Sequence, residues 1–222
     1  MYKVEGKNIL IVGFTGKAKA GKTTAANEVG KRLFYNYGVP VNGKAFADPI
    51  REIGRIFGFS DAQLNYQELK EEIDERWGIS PRKFMQLVGS EMFRTHIGPD
   101  VWVKHMFDID IPKWVNDVKS CNAYAIKECA AKPIYACTIG DVRFKNEADA
   151  IRERGGLIVR VNRPGVDEVC NGVKNHSSER EFDLINADIT IDNTFSSVQE
   201  YRDFAADKVI ELITKILNGH SI

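Results

Sequence analysis

Gly16, Gly21, Lys22 and Thr23 stand at the spacing G-x-x-x-x-G-K-[ST] inside NILIVGFTGKAKAGKTT (8–24), directly behind the apolar run from Ile9 to Val12. The pattern constrains the fold because it needs a strand to deliver it and a helix to carry it away. Glycines let the backbone curl close to phosphate oxygens, and the bare N–H groups and helix N-terminus attract an anion. Lys22 adds a point charge and Thr23 a hydroxyl suited to Mg²⁺. Both flanks are present. After the loop, Ala25, Ala26, Val29, Leu33 and Phe34 recur at helical spacing until Gly38 and Pro40 end the run. A strand over 8–14 and a helix over 21–37 are expected.

A second strand is expected over 41–47, closing on Asp48, and a helix over 49–57 with Ile50, Ile53, Ile56 and Phe57 on one side. This βαβα beginning implies an α/β fold with a mostly parallel sheet. From about 58 to 110 the chain reads as helical, polar and aromatic segments without a good strand. Ser80 is an N-cap with Pro81 at the first helical position, and Phe84, Leu87, Val88 and Met92 form that helix's buried face. We read the block as a helical insertion covering the site within a single domain spanning 1–222; an ordinary helical layer is the open alternative. The stretch 111–132 is less decisive, with a helix expected from Ser120 onward.

A third strand over 134–140 ends at Asp141, an acid well placed to help hold Mg²⁺ or orient a substrate. A helix over 144–154 stops at Gly155 and Gly156, a strand follows over 157–161, and the last strand over 187–191 ends in Asp192 and Asn193. The final helix aligns Val198, Tyr201, Ala205, Val209, Leu212 and Ile216 on one stripe.

Lys plus Arg equals Asp plus Glu at 31 each, so no global positive field points to nucleic acid as a partner. No long apolar run suggests a leader or a membrane span, and a cytoplasmic location is expected. Cys121, Cys129, Cys137 and Cys170 form no C-x-x-C pair, and His96, His105 and His220 are isolated, so neither zinc nor a disulfide framework is suggested.

Beyond the loop, SPRKFMQLVGSEMFR (80–94), PDVW (99–102), GDVRFKNEADAIRERGGLIVRVNRPG (140–165), HSSE (176–179) and ADITIDN (187–193) occur in this order. Together with the phosphate loop they resemble the phage-type deoxynucleoside monophosphate kinases over nearly the whole chain. The resemblance implies a P-loop kinase core with a nucleotide-covering insertion, and transfer of the γ-phosphoryl of ATP, as its Mg²⁺ complex, to a deoxynucleoside monophosphate.

On that resemblance, Gly16, Lys17, Lys19, Gly21, Lys22, Thr23 and Thr24 serve ATP, with Arg163 and Asn193 assigned to its adenine end. Lys22, Arg143, Asp141 and Asp48 are the catalytic candidates. Arg82, Gln86, Gly89, Ser90, Trp102, Arg143 and Glu147 are the acceptor-side candidates: Arg82 for phosphate, Gln86 for a base edge, Trp102 for stacking, and Glu147 to hold Arg143 or meet a sugar hydroxyl. Where family members often carry Asp after the loop lysine, this chain has Thr23 and Thr24, which leaves the Mg²⁺ ligand open between them, with Asp141 as a third choice. Lys19 stands where arginine is common, losing bidentate phosphate contact. His176 and Glu179 receive no role. Base preference, ribose exclusion and a homodimeric state are left open. Two other readings compete: another small-molecule kinase, such as one acting on dephospho-coenzyme A, and a nucleotide-hydrolysing switch.

Overall fold

A computed structural model describes residues 1–120, 131–165, 181 and 184–217. Two compact units divide the chain: Met1–Ala45 with Met106–Ile222, and Phe46–His105. The residues His176, Ser177, Ser178 and Glu179, together with Cys121, Cys129, Cys170 and His220, lie outside the described residues.

The first unit is built on a six-stranded sheet. Its strands are β1 (Tyr2–Val4), β2 (Lys7–Thr15), β3 (Val41–Lys44), β4 (Ile134–Val142), β5 (Leu157–Asn162) and β6 (Ile189–Asp192). The order is β3-β4-β2-β5-β6, all parallel, and β1 pairs antiparallel with β2. β2 is therefore central, which explains its unbroken apolar run: a strand covered on both faces has no polar face to alternate with.

Leu10, Val12 and Phe14 pack on one face against Val29 and Leu33 of α1 (Lys22–Tyr37) and Ala205, Val209 and Ile213 of the C-terminal helix (Val198–Leu217). On the other face a Cβ at Gly13 would touch Ile151 of the helix Lys145–Glu153, and Trp114 of the helix Ile111–Ser120 lies 5.6 Å from Tyr135. Gly38, at φ 63°, ends α1 with its N–H on the Phe34 carbonyl while the Val39 N–H reaches Leu33.

The second unit, Phe46–His105, holds α2 (Asp48–Ile56), α3 (Asp61–Asn65), α4 (Gln67–Glu71), α5 (Pro81–Gln86) and α6 (Val101–Lys104). It has no strand among its described residues beyond one isolated bridge, Asp74↔Ile79. Phe84 packs against Phe59 with ring centres 4.9 Å apart. Buried Asp74 accepts from the Arg76 guanidinium and from Gln63 at 3.0 Å, and those bonds hold its carboxyl well below the usual range.

Several expected bounds shift. β3 stops at Lys44, so Asp48 does not close a strand; it opens α2, directly after the turn at Phe46 and Ala47. A helix spans Ile111–Ser120, where Ile111 and Val115 are buried at i, i+4 spacing; the helix expected from Ser120 onward falls on 121–130, outside the described residues. Met92 was expected on a buried face but is 55 % exposed. It stands in the wide-turn helix Leu87–Arg94, into which α5 continues and whose i→i+5 ladder departs from the 3.6-residue spacing on which that face was read. Val198 and Ile216, at the ends of the last stripe, are exposed. No helix among the described residues is long and apolar enough to cross a membrane.

Candidate active site

β2 runs out at Thr15 and the chain turns through the loop to α1. Gly16 (φ 136°), Lys19 (φ 61°) and Gly21 (φ 106°) are left-handed here. Such residues interleaved with right-handed ones turn successive N–H groups toward one side, the geometry of an anion nest. As the first amides of α1, those of Lys22, Thr23 and Thr24 have no carbonyl within the helix to reach. Glycine is required at both ends of the loop: a Cβ on Gly16 would lie 2.2 Å from the Val161 carbonyl oxygen, and one on Gly21 2.8 Å from the Tyr201 ring.

The Lys22 ammonium turns back over the loop and donates to the carbonyls of Gly16 at 2.8 Å and Lys17 at 2.6 Å. Burial first, and then the positive charge of Arg143, push it down from 10.5 to about 8, with Asp141 pulling the other way. Asp141 and Arg143 therefore lie close enough for Lys22 to feel both. Lys17 and Lys19 are exposed on the loop.

A change of register brings Asp141 in. Gly13 pairs with Ile139 but Thr15 pairs with Val142, so β4 spends one residue more than β2 over this interval, a β-bulge at Gly140 and Asp141. Bulges redirect side chains at strand ends. Gly140 itself presses on α1: a Cβ there would lie 3.5 Å from both the Thr23 Cα and its Oγ1. The Thr23 hydroxyl thus sits one residue from Asp141 at the end of the neighbouring strand. A hydroxyl and a carboxylate are both hard-oxygen ligands, and Mg²⁺ bound with a nucleotide takes one or two such protein ligands plus phosphates and waters. No group of three or more His, Cys, Asp or Glu among the described residues forms a dedicated metal cage. The residues present fit Mg²⁺ carried in with a polyphosphate.

Glu147, 2 % exposed, is not a solvated helix acid. Its Oε2 accepts the backbone N–H of Arg143 at 2.9 Å and of Phe144 at 3.2 Å, which ties the start of its own helix to the residue carrying the exposed Arg143 side chain. Asn193, just past β6, is buried and donates from Nδ2 to the Ala20 carbonyl at 2.9 Å. Arg163, after β5, is exposed, and its charge is felt at the Tyr201 phenol. Sequence reading placed Tyr201 only on an apolar stripe, yet its hydroxyl meets the Gly21 carbonyl at 3.0 Å. A phenol in an otherwise apolar stripe was the available signal, since a buried tyrosine hydroxyl needs a partner.

The second unit carries the remaining candidates. Arg82 is paired with Glu71. Asp48 accepts from Arg51 at 2.8 Å. Gln86 and Ser90 are half-buried. Trp102 does not offer a face here: it is 3 % exposed, stacks on Phe93 at 5.0 Å and donates its indole N–H to the Gly89 carbonyl at 2.8 Å. That carbonyl belongs to the wide-turn helix, and the indole fixes it.

A parallel sheet whose central strand feeds a phosphate loop, with a buried loop lysine and an acid at the end of the next strand, defines a P-loop nucleotide-binding fold. The chain belongs to the deoxynucleotide monophosphate kinase family, whose profile matches residues 52–202. A protein of Acanthamoeba polyphaga mimivirus described as "Putative deoxynucleotide monophosphate kinase" is 35% identical over 164 residues, 71% of this chain and 76% of its own length. The family match begins behind the phosphate loop, so loop geometry and family membership are separate observations. Among solved structures, an APS kinase from Mycobacterium tuberculosis is 12% identical with a TM-score of 0.40, over 93% of this chain and 98% of that one. A shikimate kinase from Aquifex aeolicus is 15% identical with a TM-score of 0.41, over 94% and 99%. Likenesses this slight carry no argument.

Proposed function

We propose that the protein transfers the γ-phosphoryl group of ATP to the phosphate of a deoxynucleoside monophosphate, giving ADP and the deoxynucleoside diphosphate. The observation that carries this reading is Lys22, buried and donating to the Gly16 and Lys17 carbonyls of the phosphate loop, where it feels the charges of Asp141 and Arg143, in a member of this kinase family. The γ-phosphorus forms a bond to an acceptor phosphate oxygen, and its bond to the bridging oxygen breaks, leaving with ADP.

A phosphate monoester has a second pKa of about 6 and is largely ionised at neutral pH, so the acceptor needs no strong base. Charge and alignment must supply the rate. Lys22 keeps most of its charge at neutral pH, and the oxygens of bound ATP replace the Gly16 and Lys17 carbonyls as its partners. Arg143 offers a movable guanidinium on a backbone fixed by Glu147, suited to follow charge onto the acceptor. Thr23 and Asp141 would hold Mg²⁺, which would neutralise phosphate charge; Thr24 is the alternative hydroxyl. Gly16, Lys17, Lys19 and Gly21 complete the donor site, with Arg163 toward adenine; Asn193, expected there too, acts instead from behind the loop through the Ala20 carbonyl.

On the acceptor side we assign Arg82, Gln86, Gly89, Ser90 and Trp102. Arg82 would exchange Glu71 for the acceptor phosphate. The buried indole acts by fixing the Gly89 and Ser90 backbone beside the ligand. Asp48 positions the acceptor and is not needed as a base. ATP with a panel of deoxy and ribo monophosphates and dephospho-coenzyme A tests the reading. Turnover with one or more deoxynucleoside monophosphates is expected; turnover only with dephospho-coenzyme A would sink it.

A further inference from the structure

The loop's carbonyls are held from behind by two side chains that come from the far end of the chain. The Tyr201 hydroxyl donates to the Gly21 carbonyl at 3.0 Å, and the Asn193 amide donates to the Ala20 carbonyl at 2.9 Å. Ala20 is fully buried, Tyr201 is 3 % exposed and Asn193 7 %. A Cβ on Gly21 would strike the Asn193 amide nitrogen at 2.9 Å as well as the tyrosine ring, so the two side chains and the loop are in close contact.

In a trans peptide the carbonyl of one residue points opposite to the N–H of the next, and no cis bond occurs among the described residues. Fixing the Ala20 carbonyl therefore fixes the Gly21 N–H, and fixing the Gly21 carbonyl fixes the Lys22 N–H. These are amides of the phosphate nest. We propose that Tyr201, with Asn193 beside it, is a positioning residue that sets the loop's N–H groups toward the polyphosphate of ATP. Packing alone does not explain the hydroxyl: phenylalanine would fill the same space in the cluster of Phe14, Ala20, Ala205 and Val209.

The clamp is itself anchored. The Asn193 N–H donates to the Asn162 carbonyl at 2.7 Å, and the Tyr201 N–H to the Ser197 carbonyl at 3.2 Å. The Ser197 hydroxyl accepts from the amides of Gln199 and Glu200 at 3.2 and 3.4 Å, capping the start of the C-terminal helix. Burial pushes the phenol up to about 12, with Arg163 opposing, so it remains a donor across the working pH range.

This inference rests on the ATP-binding part of the proposed function, and direct binding separates the two. Calorimetric titration of the full chain with Mg²⁺-ATP should show Tyr201→Phe binding about tenfold more weakly than wild type, the worth of one well-placed hydrogen bond. Asn193→Leu should move affinity the same way. The thermal midpoint of Tyr201→Phe should stay within a few degrees of wild type, and the KM for the monophosphate should not change. A lowered midpoint with unchanged ATP affinity would make Tyr201 merely structural and overturn the proposal, as would no change in either. Wild-type chain that binds ATP but phosphorylates no deoxynucleotide would refute the acceptor while leaving the clamp to be judged on affinity. Failure of the wild type to bind ATP overturns both.

Discussion

Glu147 lies beneath Arg143: its carboxylate receives the Arg143 amide at 2.9 Å and the next amide, of Phe144, at 3.2 Å. One buried acid thereby caps a helix and fixes the backbone that carries Arg143, the arginine we propose as catalytic. Glu147→Ala is expected to cost about 1–2 kcal/mol of stability, the usual worth of a helix N-terminal cap. It should also lower kcat more than KM for ATP. Denaturant unfolding with steady-state kinetics checks this, and an unchanged kcat would detach Glu147 from Arg143 function.

Thr23, whose hydroxyl faces Gly140 next to Asp141, should govern the metal requirement. Thr23→Ala is expected to raise the Mg²⁺ concentration for half-maximal rate about tenfold or more, as expected for a lost metal ligand. Thr24→Ala should leave it nearly unchanged. Titration of rate against Mg²⁺ at fixed ATP reads both, and the opposite ranking would move the ligand to Thr24.

Lys22 supplies a pH signature. Burial and Arg143 hold the free ammonium at about 8, and bound polyphosphate should return it toward the ordinary 10.5. Because ligand raises this pKa, the charged lysine's contribution to affinity is fully present below pH 8 and lost progressively from there toward pH 10.5. Calorimetry in two buffers of different ionisation enthalpy should detect uptake of most of a proton on ATP binding at pH 9 and little at pH 7. Equal uptake at both would contradict the assignment.

Trp102→Phe keeps a ring but removes the donor to the Gly89 carbonyl. A KM for the monophosphate raised about fivefold is expected, within the range for one lost hydrogen bond, with the KM for ATP unchanged. A change confined to ATP would move Trp102 off the acceptor side.

Much of this arrangement was legible in the chain because it is local. Gly16, Gly21 and Lys22 declare the loop by spacing, and β2 declares its central place by an apolar run covered on both faces. The bulge at Gly140 and Asp141 was not legible, since it is a mismatch of register between two strands far apart in sequence. The grip of Tyr201 and Asn193 on the loop spans still more of the chain, 180 and 173 residues, and no local pattern encodes it. The wide turns of Leu87–Arg94 also departed from the 3.6-residue template on which Met92 was read as buried. Glu147 was expected to hold Arg143 or meet a sugar hydroxyl, and its carboxylate receives the Arg143 backbone amide, a contact that spacing alone does not specify.

The central claim is phosphoryl transfer to a nucleotide rather than hydrolysis. Its most direct test follows the label from γ-³²P-ATP with Mg²⁺ and a deoxynucleoside monophosphate, for wild type and Lys22→Ala. We expect wild type to place the label in the deoxynucleoside diphosphate, and Lys22→Ala to do so about 10²–10³-fold more slowly while still folded, the range for removing one group that stabilises transition-state charge. Label released only as inorganic phosphate by the wild-type protein would contradict the account.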